Sequence, residues 1–133
     1  MFKDLNEAQN YFKNDKFATI NGMTLDEIGD GYAVTSVNLT ENHYNAAGGV
    51  MGGVYFTLAD YAFAAASNSK ELGTVGLTVN ITYLAGAKGD RLIAKCQCVK
   101  DGRTTGCYQT EVYDNTDRHV ATLVMNAFKT HSR

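Results

Sequence analysis

The strongest hydrophobic pattern in this chain is a nearly continuous apolar run over residues 54–66. Eleven of those 13 residues are apolar, and five of them are alanine. This composition predicts a helix about 20 Å long, and a helix that is hydrophobic on every side needs cover on every side. A glycine-rich loop over residues 40–53 leads into the run.

Shorter periodic patterns lie on both sides of this helix. Residues 4–14 place apolar side chains at helical spacing, and Asp4 followed by Glu7 predicts a helix cap. Asp101-Gly102 predicts a two-residue hairpin, and short connections of this kind predict antiparallel pairing of consecutive strands. Alternating, β-branched and aromatic residues predict strands at 23–28, 32–39, 74–84, 90–100, 104–114 and 118–129.

One long apolar helix and one antiparallel sheet predict an α+β fold in which a curved sheet wraps around the helix. The whole chain, 1–133, is expected to form a single domain with a helical N-terminal extension over 1–20. A single sheet covers only part of such a helix. We therefore expect a second copy of the protein to cover the rest, and at least a dimer.

Composition and charge narrow the class of protein. The 12 Lys and Arg nearly balance the 14 Asp and Glu, so the net charge of −2 gives no basic surface for nucleic acid or anionic membranes. No uncharged apolar stretch reaches 18 residues, and the N-terminus lacks a signal-peptide core. Cys96, Cys98 and Cys107 have neither disulfide-framework nor zinc-site spacing. These features predict a soluble cytoplasmic protein with neither a nucleic-acid nor a membrane partner.

Asp60 is the one charged residue inside the apolar run. It lies about two turns into the helix, too deep for a cap, and its neighbours Phe56, Thr57, Phe63 and Ala64 supply no cation. One interpretation is a structural carboxylate paired with a buried donor or facing solvent. The other is a functional carboxylate, because apolar surroundings raise the basicity of a carboxylate and suit it to acid–base chemistry.

The glycine pairs Gly48-Gly49 and Gly52-Gly53 immediately precede the helix. Glycines allow a ligand to approach the backbone closely, and the free N–H groups of a first helical turn attract phosphate or a developing oxyanion. The alternative is a flexible entry to the helix. The sequence lacks the Lys-Ser/Thr of a phosphate-binding P-loop and has no Rossmann glycine fingerprint here.

The histidines offer little chemistry. His43 is interpreted as a structural loop residue, and His119 and His131 as surface residues. The three lie far apart without metal-ligand spacing, so no metal site is expected.

These motifs together resemble the hotdog-fold thioesterases of the phenylacetic-acid-degradation type. The resemblance is carried by Asn45-x-x-Gly48-x-x-Met51-Gly52-Gly53 and by the following Phe56-Thr-Leu-Ala-Asp60-x-Ala-Phe63. It continues through Asn80–Leu84, Gly89-Asp90 and Gly102-Arg103, and covers about residues 32–129. It implies a hotdog fold and hydrolysis of acyl-CoA thioesters to CoA and a carboxylic acid, with no cofactor beyond the CoA of the substrate.

The resemblance also implies roles for individual residues. Asp60 would be the general base or nucleophile, the Gly52 N–H would polarise the thioester carbonyl, and Asn45 would orient the water or the carboxylate. The site would form across the interface of a homodimer, which in this family often assembles further into a homotetramer. The expected substrate contacts are Gly53, Met51, Thr78 and Arg103. For Thr78 the alternative is an ordinary strand threonine, and for Arg103 it is an exposed turn charge.

Met51 is the departure from the family pattern, which usually has histidine before Gly-Gly. It favours an alternative in which the protein binds acyl-CoA without catalysis, as a sensor or subunit, whereas the retained Asp60 favours an enzyme. A third possibility, an acyl dehydratase, would need a catalytic histidine, and neither His43 nor His119 is well placed for that role.

Overall fold

A computed structural model describes residues 1–130 of the chain. It contains one six-stranded sheet, one long helix and two short N-terminal helices. The elements are α1 Leu5–Phe12, α2 Lys16–Ile20, β1 Met23–Gly29, β2 Tyr32–Asn38, a 3-10 turn Glu41–His43, α3 Gly52–Ser67, β3 Thr74–Tyr83, β4 Arg91–Asp101, β5 Thr105–Asp114 and β6 His119–Lys129. All six strands and the central helix were predicted within two residues of these bounds.

The strands are antiparallel and follow the order β1-β2-β4-β5-β6-β3. The prediction that consecutive strands pair was wrong for β3, which pairs with β6 at the edge and not with β4. The chain therefore crosses from one edge of the sheet to its middle between β3 and β4. The periodicity of a strand does not encode which neighbour it takes, so this crossing was not visible in the sequence.

The predicted two-residue hairpin at Asp101-Gly102 is also longer than expected. β4 ends at Asp101 and β5 begins at Thr105, and the Gly102 N–H donates to the Thr105 carbonyl at 2.9 Å. A bulge between Cys98 and Lys100 shifts the register of the two strands before the turn. This extra residue changes the geometry that the turn must close.

The concave face of the sheet packs on α3. Leu58, Ala59 and Ala62 of the helix are fully buried, as are Leu92 and Leu123 on the strands beneath it. Truncating a leucine in such a core costs about 2–5 kcal/mol, so this packing fixes the position of α3 on the sheet.

The opposite side of α3 is open in a single chain. Gly53 and Asp60 are exposed, and Thr57, Ala64 and Ser67 are half-buried. Their spacing of four, three, four and three residues places all five on one helical face. The sheet thus covers only part of the helix, and cover by a second copy remains a prediction.

The N-terminal segment covers one end of this open face. Asp4 caps α1 by accepting from the Glu7 N–H at 2.9 Å, as predicted. Tyr61 of α3 donates its hydroxyl to the Phe12 carbonyl at 3.1 Å, which fixes the end of α1. Within the described residues, no helix is long and apolar enough to span a membrane.

Candidate active site

The loop before α3 is held in shape by Asn45. The Oδ1 atom of Asn45 accepts from the N–H groups of Ala47 and Gly49, both at 3.0 Å, and its own N–H donates to the Gly49 carbonyl at 2.7 Å. Gly48 has φ of +86°, a conformation that favours glycine. Asn45 therefore organises the loop through its oxygen, and its Nδ2 group donates to no other described residue.

The first two residues of α3 present free backbone donors. The N–H groups of Gly52 and Gly53 have no hydrogen-bond partner in the described part of the chain. They lie at the positive end of the helix dipole, which favours a negative or polarised oxygen. This is the arrangement expected of an oxyanion-binding helix start.

Tyr83 packs against Gly52, so a side chain at this position would displace the tyrosine ring. A Cβ atom at Gly52 would lie 2.9 Å from the Tyr83 hydroxyl oxygen. That hydroxyl donates to the Gly52 carbonyl at 3.2 Å. This contact was not predicted, although Tyr83 lies within the segment that carries the family resemblance.

Met51 occupies the cap position before the helix. Its side chain makes no capping hydrogen bond and is 56% exposed. Its Cε atom would lie 3.1 Å from a Cβ atom at Gly53. The methionine therefore lies beside the free N–H groups as an apolar surface without any donor.

Asp60 lies on the open face of α3 without a partner. Its side chain is exposed in a single chain, and its carboxylate has no hydrogen bond or ion pair with the described residues. Loss of hydration within its cavity raises the pKa of Asp60, and the negative charge of Asp15 raises it further. Because no donor stabilises its ionised form, this carboxylate is more basic than a hydrogen-bonded one.

A cavity of about 260 Å³ adjoins Asp60. Its lining comes from two parts of the chain: α3 supplies Thr57, Asp60 and Tyr61, and the N-terminal segment supplies 15–18. Phe17 of that segment is 72% exposed. This contribution was not predicted, because Asp15 precedes and Phe17 lies in the short helix α2, where no pattern marks chemistry.

The site residues form two groups that are separated within one chain. Asn45, Met51, Gly52 and Gly53 cluster at the start of α3. Asp60 follows Gly52 by eight residues, which is about 12 Å along the helix axis. A carbonyl oxygen bound at Gly52 is therefore out of reach of the Asp60 carboxylate of the same chain.

Thr78 and Arg103 do not line the Asp60 cavity. The Thr78 hydroxyl lies on the exposed edge strand β3 and accepts from Asn126 Nδ2 at 2.8 Å. Arg103 is exposed in the β4–β5 turn, and its side chain has no partner among residues 1–130. In a single chain neither residue adjoins the Asp60 cavity, and their predicted substrate contacts stay predictions.

The histidines in the described range have structural contacts. His43 is buried, where Nδ1 accepts from the Thr40 N–H at 2.9 Å and Nε2 donates to the Asn21 carbonyl at 2.7 Å. His119 contacts Glu111 at 2.8 Å and stacks on Tyr113. His131 lies outside the described residues. No group of three or more His, Cys, Asp or Glu in residues 1–130 is arranged to hold a metal.

Comparison with known proteins gives matches of sequence and of structure. The family profile of the thioesterase superfamily matches residues 47–121. The acyl-coenzyme A thioesterase PaaI of Escherichia coli K12 is 34% identical over 115 residues, which are 86% of this chain and 82% of that protein.

Two solved structures share the architecture. The E. coli PaaI protein from the phenylacetic acid degradation operon superimposes with a TM-score of 0.87 at 31% identity, covering 92% of this chain and 89% of that one. A thioesterase protein of Streptococcus pneumoniae TIGR4, solved with coenzyme A, has a TM-score of 0.83 at 28% identity, with 92% and 96% covered.

Proposed function

The chain belongs to the thioesterase superfamily and has the hotdog fold, and from this premise we propose that it hydrolyses acyl-CoA thioesters. The observation that supports this most is the unpartnered Asp60 carboxylate on the open face of α3, on the same helix as the free Gly52 N–H. The enzyme class agrees with the relatives, which are named as acyl-CoA thioesterases.

In the proposed reaction the thioester carbonyl oxygen accepts a hydrogen bond from the Gly52 N–H. One such preorganised donor is worth about 3 kcal/mol in the transition state. Asp60 then removes a proton from water as the water attacks the carbonyl carbon. The carbon–sulfur bond breaks, and CoA leaves as the thiol after taking up a proton.

A second route uses Asp60 as the nucleophile. The carboxylate attacks the carbonyl carbon, CoA leaves, and water hydrolyses the resulting mixed anhydride. Both routes need the ionised carboxylate and the same donor at Gly52. Asn45 serves either route through its unused Nδ2 group, which would hold the water or the carboxylate.

Either route needs a second copy of the chain. The separation of about 12 Å along α3 places Gly52 and Asp60 of one chain too far apart for one carbonyl. The open face of α3 and the exposed apolar residues of β3, Val75 and Leu77, are surfaces that such a copy would cover. We propose a homodimer in which Asn45 and Gly52 of one subunit face Asp60 of the other, with a homotetramer as the larger assembly.

The substrate contacts and the location of the protein complete the proposal. Met51 and Gly53 would flank the thioester, the Thr78 hydroxyl would reach the site from β3, and Arg103 would bind a CoA phosphate. The acyl group would enter the cavity beside Asp60, and the protein would act in the cytoplasm with no further cofactor.

The alternative is a hotdog protein that binds acyl-CoA without hydrolysing it. Met51 favours this alternative, since it replaces a side chain capable of hydrogen bonding with an apolar one beside Gly52. The free N–H groups would still bind a carbonyl oxygen, so binding without turnover is chemically coherent.

Thiol release from a panel of acyl-CoAs tests the proposal. Wild type should release CoA from at least one short, medium or aromatic acyl-CoA, and Asp60→Asn should lose at least about 100-fold in kcat. Asp117→Asn, an equal charge change in the β5–β6 turn, is the control and should keep wild-type rates. Equal rates in wild type and Asp60→Asn would remove Asp60 from the mechanism. Binding of acyl-CoA without turnover would favour the alternative.

The native mass in solution tests the shared site independently. A dimer or tetramer is expected, and a clean monomer that still hydrolyses acyl-CoA would contradict a site built from two chains. Mixing two impaired variants, Asp60→Asn and Gly52→Ala, whose new Cβ atom would lie against Tyr83, sharpens the test. Mixed dimers contain one site with both functional groups, so partial recovery of activity is expected.

A further inference from the structure

Tyr83 donates a hydrogen bond to the backbone at the start of α3, and no role was predicted for this residue. Its hydroxyl lies 3.2 Å from the Gly52 carbonyl oxygen. Its ring packs edge-on against Tyr55, with centroids 5.9 Å apart. The ring is therefore held from one side, and the hydroxyl is aimed at one backbone oxygen.

The contact acts on the peptide unit between Gly52 and Gly53. The Gly52 carbonyl and the Gly53 N–H belong to the same planar unit, so orienting one orients the other. A hydrogen bond to a carbonyl also polarises its peptide and strengthens the N–H on the far side as a donor. Tyr83 thus orients and strengthens the free Gly53 N–H at the start of α3.

This peptide needs support because its own residues supply none. Gly52 and Gly53 have no side chains, and glycine allows the widest range of backbone conformations. Met51 contributes no capping bond. The close approach of Tyr83, which leaves no room for a Cβ atom at Gly52, restricts the peptide from the β3 side.

We propose that Tyr83 is a positioning residue of the thioesterase site, which orients the Gly52–Gly53 peptide so that the free Gly53 N–H faces the thioester carbonyl beside the N–H of Gly52. The inference rests on the proposed function and adds to it. Tyr83 acts through the Gly52–Gly53 backbone and does not contact the substrate.

The magnitude follows from the geometry. Loss of a whole oxyanion donor costs about 100-fold to 1000-fold in kcat. Tyr83 only aligns one donor, the Gly53 N–H, and 3.2 Å is long for a hydrogen bond between two oxygens. We therefore expect Tyr83→Phe to lower kcat by about fivefold to tenfold and to leave KM within about twofold, because the alignment matters most where charge develops.

Tyr44→Phe is the matched control. Tyr44 is also partly exposed and lies in the same loop region, but its hydroxyl makes no hydrogen bond with residues 1–130. It should keep wild-type kcat and KM. An unchanged kcat in Tyr83→Phe, or a raised KM with unchanged kcat, would overturn the positioning role, the latter by showing a direct substrate contact.

A double-mutant cycle separates this role from general stability. Gly52→Ala forces Tyr83 aside, since the new Cβ would lie 2.9 Å from its hydroxyl oxygen. If both changes act on the same peptide, kcat of the double variant falls by less than the product of the two single losses. Multiplicative losses would show independent actions and contradict the proposal.

Backbone NMR tests the contact without turnover. Tyr83→Phe keeps the ring, and with it the ring-current shift, so a changed Gly53 amide nitrogen signal reports the lost hydroxyl. The Gly53 signal should move more than those of Gly48 and Gly49, and it should not move in Tyr44→Phe. If wild type hydrolyses no acyl-CoA, the proposed function fails, and the Gly53 signal alone decides whether Tyr83 orients the peptide. An unmoved signal overturns the inference in either case.

Discussion

Two aspartates of this protein show how environment separates a structural carboxylate from a chemical one. Asp114 ends β5 and is 1% exposed, whereas Asp60 lies on the open face of α3. Asp114 accepts five hydrogen bonds, and Asp60 accepts none from the described residues. The two side chains are identical, so the difference lies in the donors that surround them.

The donors around Asp114 join two connections of the sheet. Its Oδ2 atom accepts from the N–H groups of Lys88 at 2.7 Å and Gly89 at 3.0 Å, in the crossing from β3 to β4. Its Oδ1 atom accepts from the N–H and hydroxyl of Thr116 and from the Arg118 N–H, in the β5–β6 turn. Burial by itself would raise the pKa of Asp114, but these hydrogen bonds outweigh it and hold the pKa well below its usual range.

Asp60 shows the opposite balance. Desolvation and the charge of Asp15 raise its pKa, and no donor offsets them. A fully satisfied carboxylate is a weak base and a strong structural link. An unsatisfied one costs stability and gains basicity, which explains how a single chain uses the same residue type for both purposes.

The largest stability effect is expected at Asp114. Asp114→Asn replaces an acceptor oxygen with an amino group that faces backbone donors, and we expect a loss of about 3 kcal/mol in the free energy of unfolding. Denaturant titration measures it. Asp117→Asn is the control in the same turn. Asp117 has φ of +67°, which asparagine tolerates at least as well, so its stability should be unchanged or slightly raised. Equal stability of the two variants would contradict the structural role of Asp114.

The stabilising effect of Asp114 should depend on pH in a defined direction. Because its pKa is lower in the folded state than in the unfolded chain, its contribution is complete above the unfolded value near 3.8 and is lost as pH falls through the folded value. The stability gap between wild type and Asp114→Asn should therefore narrow on acidification below about pH 4. A gap that is constant from pH 7 to pH 3 would argue against this linkage.

A smaller effect is expected when the charge of Asp15, the acidic neighbour of Asp60, is removed. Removing its charge in Asp15→Asn should lower the pKa of Asp60, since that charge raises it. The acid limb of the kcat/KM profile should then move to lower pH, by less than about one unit, because the site is open to solvent. Asp117→Asn should leave the limb in place. A shift to higher pH would contradict the sign of the interaction.

The smallest effect is a gain in stability in Asp60→Asn. The raised pKa means that ionised Asp60 opposes folding at neutral pH, and this cost disappears as pH falls and the carboxyl group takes up a proton. The variant should therefore unfold at a slightly higher temperature than wild type at pH 7, with the difference shrinking in acid. This pH dependence has the sign that distinguishes Asp60 from Asp114. A destabilised Asp60→Asn would reveal a donor from a second chain.

Local patterns predicted much of the fold and of the site. The apolar run identified α3, alternation identified the strands, and the glycine-rich entry with Asp60 identified both ends of the proposed chemistry. These features depend on residues close together in the chain, where helical and strand periodicity act directly. The edge position of β3 was missed because its partner β6 lies about 45 residues away in sequence, and the longer turn at Asp101 was missed because strand periodicity does not record a bulge such as that between Cys98 and Lys100.

The sequence by itself determined that this protein would have an apolar central helix, a curved sheet and one intrusive carboxylate. Only the tertiary structure decided which side of the helix stays open, that Asp15 and Phe17 line the Asp60 cavity, and that Tyr83 contacts Gly52. The physical reason is that these contacts join residues more than 30 positions apart. Their closeness comes from how the sheet closes over the helix, and no local periodicity records that.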